Sequence, residues 1–166
     1  MAANHESPTQ IILSCSPQEK GFRDYGHDMD NTDTLLECGL GFTCDFDKQR
    51  EFVGQNCVLD QKAIAKERGG LRRRMANILL NDPGPLMHHG EVLWRNGKPI
   101  SDIRAASYGH TLGGAVGLTM LESQDEVIKK AFLADAEWEV EIANKKYPCQ
   151  VSLAPFYDPK NSKIKQ

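Results

Sequence analysis

Short apolar runs separated by turn-forming residues dominate the second half of the chain. The strand-length runs cover residues 75–80, 92–94, 100–103, 115–121 and 138–142, and alternation continues in Val151 and Leu153. Asn96-Gly97 lies between the second and third runs and is a strong short-range signal for a hairpin turn. Asn144, followed by two lysines, predicts a second hairpin. Several short strands at this spacing indicate a small β-barrel or β-sandwich.

The first half of the chain carries one clear helical pattern. Residues 54–68 are rich in helix formers, and Gly69-Gly70 is placed to end the helix. The apolar residues that cluster towards one side of it are Val58, Leu59, Ala63 and Ile64. Before this helix, residues 21–46 mix turn formers with short apolar groups. They predict an irregular entry followed by a short strand.

A second, shorter helix is predicted at residues 125–133, with Val127, Ile128 and Ala131 turned towards the strands. The fold class is therefore α+β and β-rich: an irregular amino-terminal segment and one principal helix lead into the strand region. Residues 1–18 are polar and broken by prolines, and they predict a mobile or poorly anchored end.

Composition narrows the classes of protein that this chain can represent. A chain of 166 residues that is 40% apolar and 26% charged is typical of a globular domain. No apolar run reaches the roughly 18 to 20 residues needed to cross a bilayer, so no membrane partner is expected. The net charge of −3 arises from 20 basic and 23 acidic residues spread along the chain. It predicts no nucleic-acid partner.

Basic and cysteine residues add little to this picture. The one basic run, Arg72-Arg73-Arg74, is interpreted as a solvated strand end in preference to a phosphate site. The cysteines are unpatterned and predict reduced thiols; they are Cys15, Cys38, Cys44, Cys57 and Cys149. The amino terminus carries neither a secretory signal nor a visible mitochondrial transit peptide.

No catalytic residue and no metal site can be named from the residues alone. The histidines lack ligand spacing, and adjacent His88-His89 is interpreted as part of a surface loop. Asp28, Asp30 and Asp33 resemble a calcium loop only superficially, and turn and capping roles are predicted for them. The sequence contains no nucleophile elbow, P-loop or dinucleotide motif.

A family resemblance is carried by several short motifs in a shared order. The motif residues are Glu19-Lys20-Gly21 with Tyr25-Gly26-His27-Asp28, Thr34 with Glu37 and Leu40, Glu51-Phe52-Val53-Gly54, Trp94-Arg95-Asn96-Gly97, residues 103–112, Tyr147-Pro148-Cys149 and residues 155–159. Together they resemble the carboxy-terminal part of the glycine-cleavage T-protein (aminomethyltransferase) family. The resemblance is stronger to the folate domain of sarcosine and dimethylglycine dehydrogenases.

This resemblance implies a division of the chain and a function. Residues 19–70 would be the remnant of a folate-binding domain, and residues 71–166 a small antiparallel β-barrel. The expected function is that of a module of an enzyme that transfers one carbon unit from a methylamine to tetrahydrofolate. The module is expected to be inactive alone, with weak or absent tetrahydrofolate binding and no FAD, because the family's flavin domain and main folate residues have no match here.

The resemblance also suggests individual residues. A folate-contacting arginine of the family falls on Leu13. By position in the tail, Asn161 or Lys163 would lie near the folate and act as a cofactor-binding residue. Tyr25 and Glu37 match family motifs but are predicted to be packing and turn positions.

Two other functions remain open at this stage. The chain could be a non-enzymatic interaction module, since one branch of the family resembles a regulatory subunit of pyruvate dehydrogenase phosphatase. It could also complete a site with a missing domain or a partner polypeptide, in which case an uncovered apolar face is expected. The family implies the mitochondrial matrix, with the cytoplasm as the alternative.

Overall fold

The computed structural model describes residues 18–46, 51–163 and 165. The predictions made for residues 1–17, including those on Leu13 and Cys15, lie outside the described residues. The elements, in chain order, are a 3₁₀ turn at Gly41–Thr43, helix α1 at Gln55–Glu67, strand β1 at Arg73–Leu80, β2 at Val92–Arg95, β3 at Lys98–Gly109, β4 at Gly114–Glu122, helix α2 at Lys130–Ala134, β5 at Trp138–Ile142 and β6 at Lys145–Ser152.

Six antiparallel strands close into a barrel in the order β1-β4-β3-β2-β5-β6. The α+β, β-rich class and the barrel are thereby confirmed. Both predicted hairpins form: Asn96 and Gly97 have φ of 51° and 74°, and Ala143 and Asn144 have φ of 49° and 63°. Two successive positive φ values are what a tight hairpin turn of matching twist requires.

Alternation along the strands sorts the side chains between two apolar clusters. In β1, Ala76, Ile78 and Leu80 point into the barrel and join its main core. The residue between the first two of these, Asn77, faces outwards, as does Met75. Met75 packs with Leu118, Met120 and Cys38 in a second cluster on the outer face of β1 and β4. Residues 29–40 thus cover one outer side of the barrel.

The predicted short strand within residues 21–46 is wrong. Local hydrogen bonds replace a strand ladder here: the Cys38 N–H donates to the Thr34 carbonyl and the Leu40 N–H to the Leu35 carbonyl. Gly39, with a φ of +72°, turns the chain into the 3₁₀ turn. The Glu37 carboxylate accepts the Thr34 N–H and hydroxyl, which confirms the predicted turn position of Glu37.

Helix α1 matches its prediction closely and stops at Arg68, before Gly69 with its φ of +79°. No described residue of this helix is fully buried, and Leu59 and Ile64 are 40% and 46% exposed. The apolar side predicted from the sequence is therefore only partly covered: Val58 is half-buried, whereas Leu59, Ala63 and Ile64 are exposed.

The second helix is shorter than predicted, because residues 125–129 are not helical. The Ile128 N–H donates to the Leu71 carbonyl at 2.8 Å, and Lys129 is fully extended. Ile128 is buried as predicted, whereas Ala131 is exposed. The long-range hydrogen bond from Ile128 to Leu71 thus holds residues 125–129 out of the predicted helix.

Candidate functional site

Residues 19–20 and the tail after β6 are held together on one side of the barrel. The buried Glu19 carboxylate accepts the backbone N–H groups of Thr111 (2.7 Å) and Leu112 (3.1 Å), in the loop between β3 and β4. The Tyr157 N–H donates to the Glu19 carbonyl at 3.3 Å. A Cβ at Gly109 would lie 2.9 Å from Glu19 Oε1, so a side chain there would displace the Glu19 carboxylate.

Asp158 is the anchor of the tail. Its carboxylate pairs with Lys20 Nζ at 3.0 Å, and both side chains are almost fully buried. It also accepts the N–H and hydroxyl of Ser162 and the N–H of Lys163. Burial alone would raise the pKa of Asp158, but the hydrogen bonds from Lys20, Ser162 and Lys163 lower that pKa to about 2.

The low pKa of Asp158 predicts how the tail responds to acid. Because its pKa in the folded chain lies below the ordinary aspartate value of about 3.9, the anchor is fully present above about pH 4 and is lost as pH falls towards 2. We expect the NMR amide signals of Ser162 and Lys163 to shift over this range. In Asp158→Asn they should already be shifted at pH 7; unchanged signals down to pH 2 would contradict the assignment.

The two predicted cofactor-binding residues lie on this anchored tail. Asn161 is exposed, has a φ of 56° and donates its N–H to the Asp158 carbonyl. Lys163 is exposed, and its Nζ lies 4.6 Å from the centre of the Tyr157 ring and 3.5 Å from the Tyr157 hydroxyl. The backbone N–H groups of both residues bond to Asp158, which also pairs with Lys20, and their contact with folate stays a prediction.

A second charged cluster joins residues 28–37 to the barrel. The Asp33 carboxylate has no exposed area and pairs with Arg73 of β1 and Arg104 of β3, each at 2.5 Å. Arg73 also contacts Glu37 at 3.2 Å. The description of the basic run as a solvated strand end is therefore wrong for Arg73, and Arg74 is also partly buried.

Other sequence predictions are settled by burial and hydrogen bonding. Asp30 accepts the N–H and hydroxyl of Thr32, and Asp28 accepts the Asp24 N–H, so their turn roles are confirmed. Asp33 does more than cap a turn, because its carboxylate also pairs with Arg73 and Arg104. Tyr25 is 66% exposed and begins the turn at residues 26–28 through a bridge to Met29, so it holds a turn position without packing into a core.

The histidine and cysteine predictions hold. His88 and His89 are exposed. The described cysteines are free thiols, and burial raises the pKa of Cys149 to about 12. A thiol with so high a pKa is a poor nucleophile at neutral pH.

The residue pair that holds the tail against residues 19–20 was not predicted from the sequence. Lys20 and Asp158 are 138 positions apart, and no local pattern links them. The one local signal was Asp158 with Ser162 four residues later, a spacing suited to a side chain that accepts nearby N–H groups. Within the described residues, no group of three potential metal ligands occurs, and no helix is long and apolar enough to cross a membrane.

Fold and site together define a closed six-stranded antiparallel barrel with an irregular layer on its outer face and an anchored carboxy-terminal tail. A model of the glycine cleavage T-protein C-terminal barrel domain matches residues 73–158, more than half of the chain. The chain belongs to this family, and the resemblance seen in the sequence is confirmed.

Individual relatives agree with this assignment. The chain is 36% identical to 4-methylaminobutanoate oxidase (formaldehyde-forming) of Paenarthrobacter nicotinovorans, over 89% of this chain and 16% of that protein. It is 30% identical to mitochondrial sarcosine dehydrogenase of Mus musculus, again over 89% and 16%. It is 30% identical to an aminomethyltransferase of Pseudothermotoga lettingae, over 84% of this chain and 34% of that protein.

A solved structure shows the same fold. The glycine cleavage system aminomethyltransferase T from Bartonella henselae superimposes with a TM-score of 0.69 at 19% identity, covering 88% of this chain and 38% of that chain. This chain thus spans about one sixth of the length of the two oxidising relatives and about one third of the aminomethyltransferases. It corresponds to their carboxy-terminal barrel domain and the segment before it.

Proposed function

We propose that this chain is the carboxy-terminal module of an enzyme that transfers a one-carbon unit from a methylamine to tetrahydrofolate. The module carries no turnover by itself. Its relatives include enzymes named for oxidising methylamines and others named as aminomethyltransferases, which supports this class of reaction. The mitochondrial sarcosine dehydrogenases among them support a mitochondrial location.

The observation that supports a module packed against a further domain or chain is a set of exposed apolar side chains before the barrel, and the folate titration below separates the enzyme module from an interaction module. Among the described residues, the large exposed apolar side chains are Phe22, Tyr25, Leu35, Phe42, Val53, Leu59, Ile64 and Leu86. All but Leu86 lie within residues 19–70. These seven exposed side chains leave apolar area before the barrel that a packed partner would bury. We infer that a second domain or polypeptide packs there and completes the folate site.

A titration with tetrahydrofolate tests whether this chain binds the proposed ligand. A ligand that binds only the folded chain stabilises it by about 1.4 kcal/mol at ten times its Kd, a rise of roughly 3 to 6 °C in Tm for a chain of this size. We expect a saturable rise at millimolar tetrahydrofolate for the wild type. Lys163→Ala should reduce the rise, whereas Lys160→Ala, on the same exposed tail, should leave it unchanged.

The outcome separates this proposal from its alternative. No rise in Tm at millimolar tetrahydrofolate would contradict folate binding by this chain. The uncovered apolar surface would then favour the second candidate, a non-enzymatic protein-interaction module of the same family.

A further inference from the structure

Three methionines and a cysteine meet where the outer layer, residues 29–40, rests on the barrel. These four residues, Met29, Cys38, Met75 and Met120, are called the sulfur seam below. Met75 and Met120 are cross-strand partners on β1 and β4. With Cys38 they belong to one buried cluster, and Met29 packs against that cluster. Sulfur side chains from the layer and from two strands are thus concentrated at a single contact.

Burial separates Met29 from the other members of the sulfur seam. Cys38, Met75 and Met120 are 1%, 2% and 7% exposed, whereas Met29 is only partly buried. The susceptibility of a sulfur side chain to oxidation follows its exposure. Met29 is therefore the member that a small oxidant reaches first in the folded chain.

The thioether of Met29 is also more reactive at neutral pH than the thiol of Cys38. Burial, reinforced by the Asp33 carboxylate, raises the pKa of Cys38, so this thiol stays protonated. A protonated thiol is a poor nucleophile, because the thiolate is the reactive form. A thioether needs no deprotonation before it reacts, so oxidation at the seam begins at Met29.

We propose that Met29 is a site of reversible oxidation by hydrogen peroxide, and that its oxidation loosens the outer layer. The sulfur attacks one oxygen of the peroxide, the O–O bond breaks, and the second oxygen leaves as water. The sulfur is oxidised by two electrons to the sulfoxide, and the peroxide is reduced. The polar S=O group is unfavourable in an apolar cluster that offers it no hydrogen bond, so the sulfoxide favours separation of the layer from the barrel.

Loosening of the outer layer leads to a second stage of oxidation. Residues 29–40 contact β1 through the sulfur seam and through the Met75 N–H, which donates to the Glu37 carbonyl at 2.8 Å. Because Met29 packs against the cluster that contains Met75 and Met120, its displacement uncovers both. We therefore expect Met75 and Met120 to be oxidised only after Met29.

Met87 provides an internal reference. It is 2% exposed, as Met75 is, but it belongs to the main core inside the barrel. Its oxidation requires the barrel itself to open, so the rate should not depend on the state of Met29.

The test follows each methionine by mass spectrometry of peptides while the folded chain is treated with hydrogen peroxide. We expect Met29 to be oxidised at least about tenfold faster than Met87, since susceptibility follows exposure. Met75 and Met120 should follow after a lag, and deuterium uptake in residues 29–40 should rise with the Met29 sulfoxide. Treatment with methionine sulfoxide reductases should return the uptake to its starting value.

Met29→Leu is the variant that tests the coupling, because leucine nearly keeps the apolar volume and cannot form a sulfoxide. It should slow the oxidation of Met75 and Met120 several-fold and leave that of Met87 unchanged. Met87→Leu is the matched control and should keep the order of oxidation in the seam.

Three results would overturn the proposal. The first is equal oxidation rates of Met75 and Met120 in the wild type and in Met29→Leu. The second is a Met29 sulfoxide that leaves deuterium uptake in residues 29–40 unchanged. The third is an equal slowing of Met75, Met120 and Met87 in Met29→Leu, because that would reflect a change in global stability in place of a local opening of the layer.

Discussion

Replacing Asp33 with asparagine is expected to lower the free energy of unfolding by about 2 to 3 kcal/mol. Removing one member of a fully buried ion pair costs about 3 to 5 kcal/mol, because its partner is left desolvated and unpaired. The Asp33 side chain has no exposed area, but the side chains of Arg73 and Arg104 are 23% and 22% exposed, and water offsets part of that cost. For a chain of this size the Tm should fall by roughly 5 to 10 °C.

The matched control is Glu122→Gln, which removes a different carboxylate from the same arginine. Glu122 is 69% exposed and 4.0 Å from Arg73, so its loss should change stability by less than about 0.5 kcal/mol. Hydrogen exchange should show faster opening of residues 28–40 in Asp33→Asn than in Glu122→Gln. Equal Tm values for the two variants would show that Asp33 does not hold this layer to the barrel.

Acid should reproduce the effect of the substitution. Burial favours a raised pKa for Asp33, but hydrogen bonds from Arg104, from the Asp30 backbone and from Arg73 outweigh it, and the pKa lies below its ordinary value. The stabilisation is then complete above about pH 4 and is lost as pH falls below the ordinary aspartate pKa of about 3.9. The Asp33 carboxylate thus both accepts a local hydrogen bond from the Asp30 N–H and makes ion pairs with two distant residues of the barrel, Arg73 and Arg104.

Asp33 also illustrates what the sequence could and could not predict. Its turn role was visible, because Asp30 and Asp33 lie within a run of turn formers. Its ion pairs were not, because Arg73 and Arg104 are 40 and 71 positions away. Burial of a charged residue depends on which strands become neighbours, and the apolar pattern gives the strands without their order.

The barrel was more predictable than the layer that covers it. Asn96-Gly97 specifies a turn through its own backbone preferences, so the hairpin could be read locally. The outer layer is formed by turns whose conformation depends on contacts with β1 and β4, and the short strand predicted there was wrong. The extended path of residues 125–129 likewise depends on the bond from Ile128 to Leu71, which no helical propensity can foresee.

Gly117→Ala is expected to destabilise the barrel by about 2 to 3 kcal/mol, the upper part of the range for overpacking a core. Gly117 lies in the middle of β4, opposite Ile78 of β1. A Cβ added there would lie 2.7 Å from Met87 Cε and 2.8 Å from the carbonyl oxygen of Ala105. The methionine can move, but the carbonyl belongs to β3 and cannot yield without disturbing the sheet.

Whether Gly117→Ala raises or lowers the free energy of unfolding distinguishes overpacking from the usual effect of alanine in a strand. Alanine in place of a strand glycine ordinarily stabilises by about 0.5 to 1 kcal/mol, since the unfolded chain loses freedom. Gly84→Ala, in a loop where the nearest atom is an exposed Asp82 oxygen at 3.2 Å, should change stability by less than about 0.5 kcal/mol. The free energy of unfolding of every variant is measured by urea denaturation. If the Ala105 carbonyl is the obstacle, Gly117→Ala should stay destabilising in a Met87→Leu background, because shortening the flexible neighbour leaves the rigid one in place.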